Sequence, residues 1–281
     1  MLGCVILNFN DSETTKKLVN NIKGYKVIDY IIIVDNKSTD TSFLELKRFE
    51  NEDSKIKVIE SPKNGGYGYG NNVGICYCKQ IGCSYVLIAN PDVEFSEDVI
   101  LASLYFLQKN NECAAVAPRM EGGGAIKFAS PLKDSMFSVM LLNKIFKPRK
   151  YPDKFYLGKK WAYVDALPGS LVMFDLQKFY SVGLYDENIF LYHEEVVVGK
   201  KLAKHGYKTV LLLDLFYQHH HSVTVKKCYK KSIKPKEFAM MSHRYYLKNY
   251  CNANRIILSI FSIFLANIAR LEMFLWLHIK K

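Results

Sequence analysis

The chain predicts an α/β fold, a mostly parallel sheet flanked by helices, with a basic amphipathic C-terminal helical extension. Three observations carry this. Short β-branched runs alternate with helical patterns over residues 1–120. Polar clusters stand at the carboxyl ends of those runs, where open α/β sheets bind their ligands. The charge balance also changes along the chain, with 23 Lys and Arg against 24 Asp and Glu up to residue 199, then 16 against 3 beyond it. The net charge of +12 therefore belongs to the extension, which points to phosphate or anionic lipid as its partner.

The elements follow in order. Gly3 to Phe9 reads as a strand, and Asp11-Ser12-Glu13-Thr14 offers caps for a helix through about Gly24. Tyr30 to Val34 is almost wholly apolar, as a strand buried on both faces must be, with Asp35 at its end. A helix over Ser38–Asn51, a strand over Ile56–Glu60, a helix over Asn71–Ile81 and a strand over Tyr85–Ala89 follow, and Asn90-Pro91-Asp92 closes the last. After residue 120 the pattern loosens, and residues 131–160 read as a loop. Val164–Asp175 reads as strand, Phe190–His205 as helix and Lys208–Leu213 as a final strand leading into His219-His220-His221-Ser222.

At 281 residues, 49% hydrophobic and 23% charged, the chain can bury a large core, which excludes a disordered tail or a disulfide-stapled miniprotein. Seven cysteines form no CxxC pair, so neither a disulfide framework nor a zinc knuckle is expected, and a reducing cytosol fits. The start, Met1-Leu2-Gly3-Cys4, enters an apolar strand with no basic run before it, so no secretory signal is expected.

The clusters Asn8/Asn10, Asp35/Asn36 and Asn90/Asp92 outline one site. Asn64-Gly65-Gly66-Tyr67-Gly68-Tyr69-Gly70-Asn71 permits close backbone approach to a ligand, but it is not GxGxxG and follows the third strand; the alternative is a tight turn. Asn90 and Asp92 suit a hard cation such as Mg²⁺ or Mn²⁺ shared with substrate phosphates, or else an Asx cap on a helix from Ser96. Glu194 and Glu195 open a helix and are either acid–base groups or dipole-complementing caps.

In their order and spacing these motifs resemble inverting glycosyltransferases of family 2, which have the GT-A fold. Val5 to Asn10, Val34 to Asp40, Asn64 to Asn72 and Asn90-Pro91-Asp92 carry the first half of the resemblance. Gly169 to Met173, Leu184 to Glu187 and Phe190 to Glu195 carry the second. It covers residues 1–225, divided into a nucleotide-sugar half (1–120) and an acceptor and catalytic half (121–225), and is nearest the rhamnosyltransferase-like branch. The resemblance implies a hexosyltransferase or rhamnosyltransferase that uses dTDP-rhamnose or a UDP-hexose. Asn8, Asn10, Asp35, Asn36, Asn64, Gly66, Gly68, Asn71 and Asn90 would then face the donor, and Asp92 and His219 the metal. Glu195 would be the base with Glu194 beside it, and Tyr192, His193 and Asp186 would face the acceptor. Three residues depart from the family pattern. Glu195 stands where Asp is usual, Val197 where an acid is usual and Lys201 where Arg is usual.

The implied acceptor is a polyprenyl-diphosphate-linked glycan of bacterial surface polysaccharide assembly, such as O antigen or capsule. Over Arg255–Lys281 the polar residues other than Glu272 gather within about half a helical wheel, an in-plane membrane pattern. Lys226, Lys227, Lys230, Lys231, Lys234 and Lys236 precede it. The expected location is cytoplasmic and peripheral, on the inner face of the cell membrane. A C-terminal helix packed on the domain or on a homodimer partner is the other reading. Residues 226–250 contain no nucleic-acid-binding module. A sugar-nucleotide or glycan-binding subunit that has lost catalysis is the alternative function.

Overall fold

The computed structural model describes residues 1–122, 151, 155–220, 234–253, 255, 256, 258 and 259. The first half runs β1 (Leu2–Asn8), α1 (Ser12–Ile22), β2 (Tyr30–Asp35), α2 (Ser42–Glu50), β3 (Ile56–Glu60), α3 (Tyr67–Gln80) and β4 (Tyr85–Ala89). It continues through β5 (Val93–Glu94), α4 (Glu97–Lys109) and β6 (Cys113–Met120). The second half contains β7 (Trp161–Tyr163), β8 (Leu171–Asp175), α5 (Leu176–Ser181), α6 (Glu194–Lys204), β9 (Lys208–His219) and α7 (Lys234–Tyr250).

These strands form one mixed sheet in the order β3-β2-β1-β4-β8-β6-β9-β5, with β7 also on β9. The β3-β2-β1-β4 block is parallel throughout. Strand β8 is antiparallel to both neighbours, while β6 and β9 run parallel to each other. Alternation along the central strands divides the core between the two faces. Cys4, Ile6, Ile31 and Ile33 meet α1, α2 and α4 on one side, while Val5, Ile32, Val34, Val86 and Ile88 meet α3, α5 and α6 on the other. Each such Ile or Val contributes about 1.5–3 kcal/mol on burial, and a slip of one residue would exchange the two faces.

Four features depart from the sequence reading. Helix α3 begins at Tyr67, a turn earlier than expected, so Gly68 and Gly70 lie inside it and do not form a loop over a ligand. Their lack of a side chain serves packing, since a Cβ on Gly70 would fall 2.4 Å from Leu7 and one on Gly68 3.0 Å from Tyr185. Strand β6 was not expected from its Ala-rich sequence with Pro118, and a register shift at Pro118/Arg119 accommodates the proline. The strand expected over Val164–Asp175 is confined to Leu171–Asp175, whereas the final strand extends to His219. Helix α7 lies in the segment assigned to the extension, yet its Tyr246 and Leu247 share a buried cluster with Ile189 and Val197. Most of the loop at 131–160 and the amphipathic segment from Arg255 lie outside the described residues. Among the described residues no helix is long and apolar enough to cross a membrane.

Gly66 caps α3 with φ +91° and ψ −174°, a region open essentially to glycine alone, and an added Cβ would lie 2.1 Å from the Phe190 carbonyl oxygen. Gly66→Ala is expected to cost about 3 kcal/mol, read as a lower denaturation midpoint in urea; a change under about 0.5 kcal/mol would contradict this packing.

Candidate active site

Three of the predicted clusters meet at the carboxyl ends of β1, β2 and β4. At the first, the buried Asp35 carboxylate accepts from Asn8 Nδ2 (2.8 Å), from the Ser38 hydroxyl (2.6 Å) and from the Ser38 amide (2.8 Å). Asn8 in turn accepts from Thr15 at 2.9 Å. Asn10, in the left-handed region at φ 53°, exchanges bonds with Thr39. Asp35 and Asn8 therefore fix the loop after β2, and their oxygens point inward. Asn36 donates to Asn64 Oδ1 and to the Gly66 carbonyl, both at 3.1 Å. The buried Asn36 Oδ1 and Asn71 Oδ1 have no hydrogen-bond partner among the described residues. An unpaired buried acceptor costs about 1–3 kcal/mol, so this turn holds unused hydrogen-bonding capacity.

At the end of β4 the two-residue strand β5 pairs with Gln218–His219 of β9, and the His220 amide donates to the Asp92 carbonyl at 2.9 Å. This pairing brings His219 Nε2 to 3.1 Å from Asp92 Oδ1, across 127 positions of sequence. The buried Asp92 and the nearly buried His219 offer one carboxylate and one imidazole. Among the described residues no group of three or more His, Cys, Asp and Glu is placed to hold a metal. A pair of this kind fits a divalent cation that takes its remaining ligands from a diphosphate and water, and Mn²⁺ accepts imidazole readily. His221 lies outside the described residues; His220 is directed to Glu94.

Because β8 is antiparallel to β4, its first residues lie beside the carboxyl end of β4. The Asn90 amide donates to the Ser170 carbonyl at 2.8 Å, and the Ser170 hydroxyl lies 2.7 Å from that of Tyr217. On the neighbouring Gly169, a Cβ would sit 3.0 Å from Glu195 Cγ and Oε1, so the absent side chain makes room for the carboxylate. The Tyr67 hydroxyl donates to the Gly169 carbonyl at 2.8 Å. Asp92 and Glu195 thus both lie near the Gly169–Ser170 entry to β8 at one end of the sheet.

Glu194 and Glu195 open α6. Burial pushes the Glu194 carboxyl well above the ordinary range, with the charge of Glu195 adding to the effect, and one Glu194 oxygen is buried and unpaired. Burial also raises Glu195, against hydrogen bonds from its own amide and that of Gly169, while the like-charge contribution of the pair falls on Glu194. Of the two, the half-buried Glu195 is the better placed to carry a single negative charge. Before them, Tyr192 and His193 both hold positive φ, 70° and 74°, at about 1–3 kcal/mol each. His193 Nε2 lies 2.6 Å from His243 Nδ1 of α7, and its Nδ1 is buried without a partner. One of the two rings donates and the other accepts in this bond, and burial lowers the His193 pKa to about 4.

Asp186, expected at the acceptor, instead receives the Tyr250 hydroxyl at 2.6 Å and both nitrogens of Asn188. Burial alone would raise its pKa, but these donors outweigh burial and hold it below the ordinary range. Lys201 donates to the carbonyls of Gly183 and Leu184, so it braces a turn. Val197 is explained by α7, whose Tyr246 and Leu247 bury it. Sequence reasoning missed Tyr67, Ser170, Tyr217, His243 and Tyr250, since each acts through a partner far away in the chain.

A mostly parallel sheet flanked by helices, with one strand reversed and polar clusters at the strand ends, has the GT-A architecture. The model of glycosyl transferase family 2 matches residues 4–166, and the chain belongs to that family. The low-salt glycan biosynthesis hexosyltransferase Agl10 of Haloferax volcanii is 30% identical over 199 residues, 69% of this chain and 59% of that protein. The N-acetylglucosaminyl-diphospho-decaprenol L-rhamnosyltransferase of Mycobacterium tuberculosis is 26% identical over 209 residues, 68% of this chain and 66% of its own length. The chain therefore spans less than two thirds of either relative. The crystal structure of GalNAc-T7 with UDP, GalNAc and Mn²⁺ superposes with a TM-score of 0.66 at 14% identity, covering 89% of this chain and 49% of that one.

Glu194 contributes stability in its neutral form. That contribution is complete below the ordinary glutamate range and is lost as pH rises toward the raised folded value. Glu194→Gln is therefore expected to melt above the parent at pH 8, with the gap closing toward pH 5; a lower melting temperature at pH 8 would contradict the burial argument.

Proposed function

We propose that the protein is an inverting glycosyltransferase that moves a sugar from a nucleotide diphosphate donor to a lipid-linked acceptor in surface glycan assembly. The observation that carries this reading is that the Asp92–His219 pair and Glu195 both lie near the Gly169–Ser170 entry, Asp92 two residues beyond the Asn90–Ser170 bond and Glu195 against Gly169. Inversion needs a carboxylate on the face opposite the leaving group, to take the acceptor hydroxyl's proton as the new bond forms. Glu195 fills that role, and its raised pKa brings it closer to the operating pH than an ordinary carboxyl. Glu194, held neutral beside it, leaves Glu195 as the single charge.

Asp92 and His219 would hold Mg²⁺ or Mn²⁺, which, when bound, neutralises charge on the departing nucleotide diphosphate. The unused acceptors of Asn36 and Asn71 support a nucleoside with N–H and O–H donors as the ligand of that turn. The relatives, one a hexosyltransferase and one an L-rhamnosyltransferase of N-acetylglucosaminyl-diphospho-decaprenol, support dTDP-rhamnose or a UDP-hexose as donor and a polyprenyl-diphosphate-linked glycan as acceptor. The basic extension supports peripheral attachment to the inner face of the cell membrane.

The decisive assay uses a panel of UDP and dTDP sugars, Mn²⁺ or Mg²⁺ and a polyprenyl-diphosphate-linked sugar. Asp92→Ala and Glu195→Gln are each expected to lower turnover by roughly 10²–10⁴-fold, and undiminished turnover in either would sink the assignment. In the parent, turnover is expected to rise with pH as Glu195 loses its proton. The half-point lies above the ordinary glutamate value of about 4.3, because burial raises this group; a half-point at or below that value would count against Glu195 as the base. Vesicles rich in anionic lipid are expected to retain the full chain at low salt and release it at high salt, whereas salt-independent retention would show a different anchor.

A further inference from the structure

The turn that presents Glu195 is held from outside its own segment. Tyr192 and His193 lie consecutively in the left-handed region, which side chains other than glycine adopt only when their surroundings impose it. The surroundings that do are on α7. The Ser242 hydroxyl donates to the Leu191 carbonyl at 2.8 Å, and His243 Nδ1 shares a hydrogen bond with His193 Nε2 at 2.6 Å. The Phe238 ring packs on that of Phe190 with centroids 4.4 Å apart, and Phe190 is itself bonded through its carbonyl to the Tyr67 amide. Tyr250 closes the far end of the contact at Asp186. Phe238, Ser242, Tyr246 and Tyr250 recur every four residues, which places them on one face of the helix.

The geometry points to α7 as a positioning element of the catalytic site, with His243 as its principal positioning residue. By holding His193 on one side of the left-handed pair while Ser242 holds Leu191 on the other, α7 sets the direction in which α6 starts. The start of α6 in turn sets where the Glu195 carboxylate lies against Gly169. Neither His243 nor Ser242 is given contact with substrate; both act through the backbone of residues 191–193. The family match ends at residue 166, so both α6 and α7 lie beyond it. Val197 fits the same account, because the helix needs an apolar seat where relatives of the resemblance carry an acid.

This inference rests on the reading of Glu195 as the base, and the test separates the two. His243→Leu removes the hydrogen-bond partner of His193, while His243→Asn returns an amide that can accept or donate close to the position of the lost Nδ1. In the transfer assay with dTDP-rhamnose or a UDP-hexose, His243→Leu is expected to lower kcat tenfold or more, since a displacement of about 1 Å can cost 10²-fold. The KM for the nucleotide sugar and the calorimetric Kd for UDP or dTDP should stay within twofold, and His243→Asn should recover most of the rate. Hydrogen exchange of the peptide amides over residues 191–197 should accelerate in His243→Leu and return toward the parent in His243→Asn. Exchange at the parent rate in His243→Leu would overturn the inference even for a protein that transfers no sugar, an outcome that would separately overturn the proposed function. Equal loss of kcat and nucleotide binding, or kcat within twofold of an active parent, would also overturn it. Should His243→Leu fail to fold, Ser242→Ala decides: faster exchange over 191–197 with a threefold or greater loss of kcat supports the inference, and parent-like values of both overturn it.

Discussion

The insertion of β8 between β4 and β6, antiparallel to both, is the constraint on which the site depends. A fully parallel sheet would bring only strand ends and helix starts to its binding edge. Reversing one strand brings a strand start, Gly169–Ser170, to the same edge as Asn90 and Asp92. The register Ala89↔Leu171 fixes that meeting to the residue, and the buried alternation of β4 and β8 prevents a slip. Glu195 then needs only a glycine beside the strand start to lie against it, which Gly169 provides.

The polar residues of the site divide by where their hydrogen bonds go. Asp35, Asn8 and Asp186 have their oxygens engaged by neighbours of the same chain, so they shape loops. Asn36, Asn71 and Glu194 keep a buried oxygen without a partner, and Asp92 meets another potential ligand in His219. Burying a polar atom unpaired is costly, so its persistence distinguishes a working site from a well-tied loop. By that measure Asn36, Asn71 and Glu194 hold hydrogen-bonding capacity that the described residues leave unused.

Much of this was legible from the residues alone. Strands β1 to β4 fall within a residue or two of their expected bounds, because strands buried on both faces read as unbroken apolar runs. The clusters at Asn8, Asp35 and Asp92 mark the binding edge for the same reason: a polar residue ending such a run has nowhere else to go. Other elements left no such trace. The start of α3 was displaced by glycines that serve packing against Leu7 and Tyr185, which a single sequence reads as a loop. Strand β5 is only two residues long, yet it determines which histidine meets Asp92. Helix α7 sits in a lysine-rich stretch whose charge suggests an appendage, while its buried face, spaced every four residues, takes part in the fold.

The meeting of residues 92 and 219 also bears on how the protein is made. Strands β1, β2 and β3 all emerge within the first 60 residues and β4 by residue 89, so this block can pair early in synthesis. The Asp–His couple must wait for more than a hundred further residues to emerge. A nascent chain therefore builds its parallel block early and joins Asp92 to His219 late, so an interrupted product would keep that block without the pair.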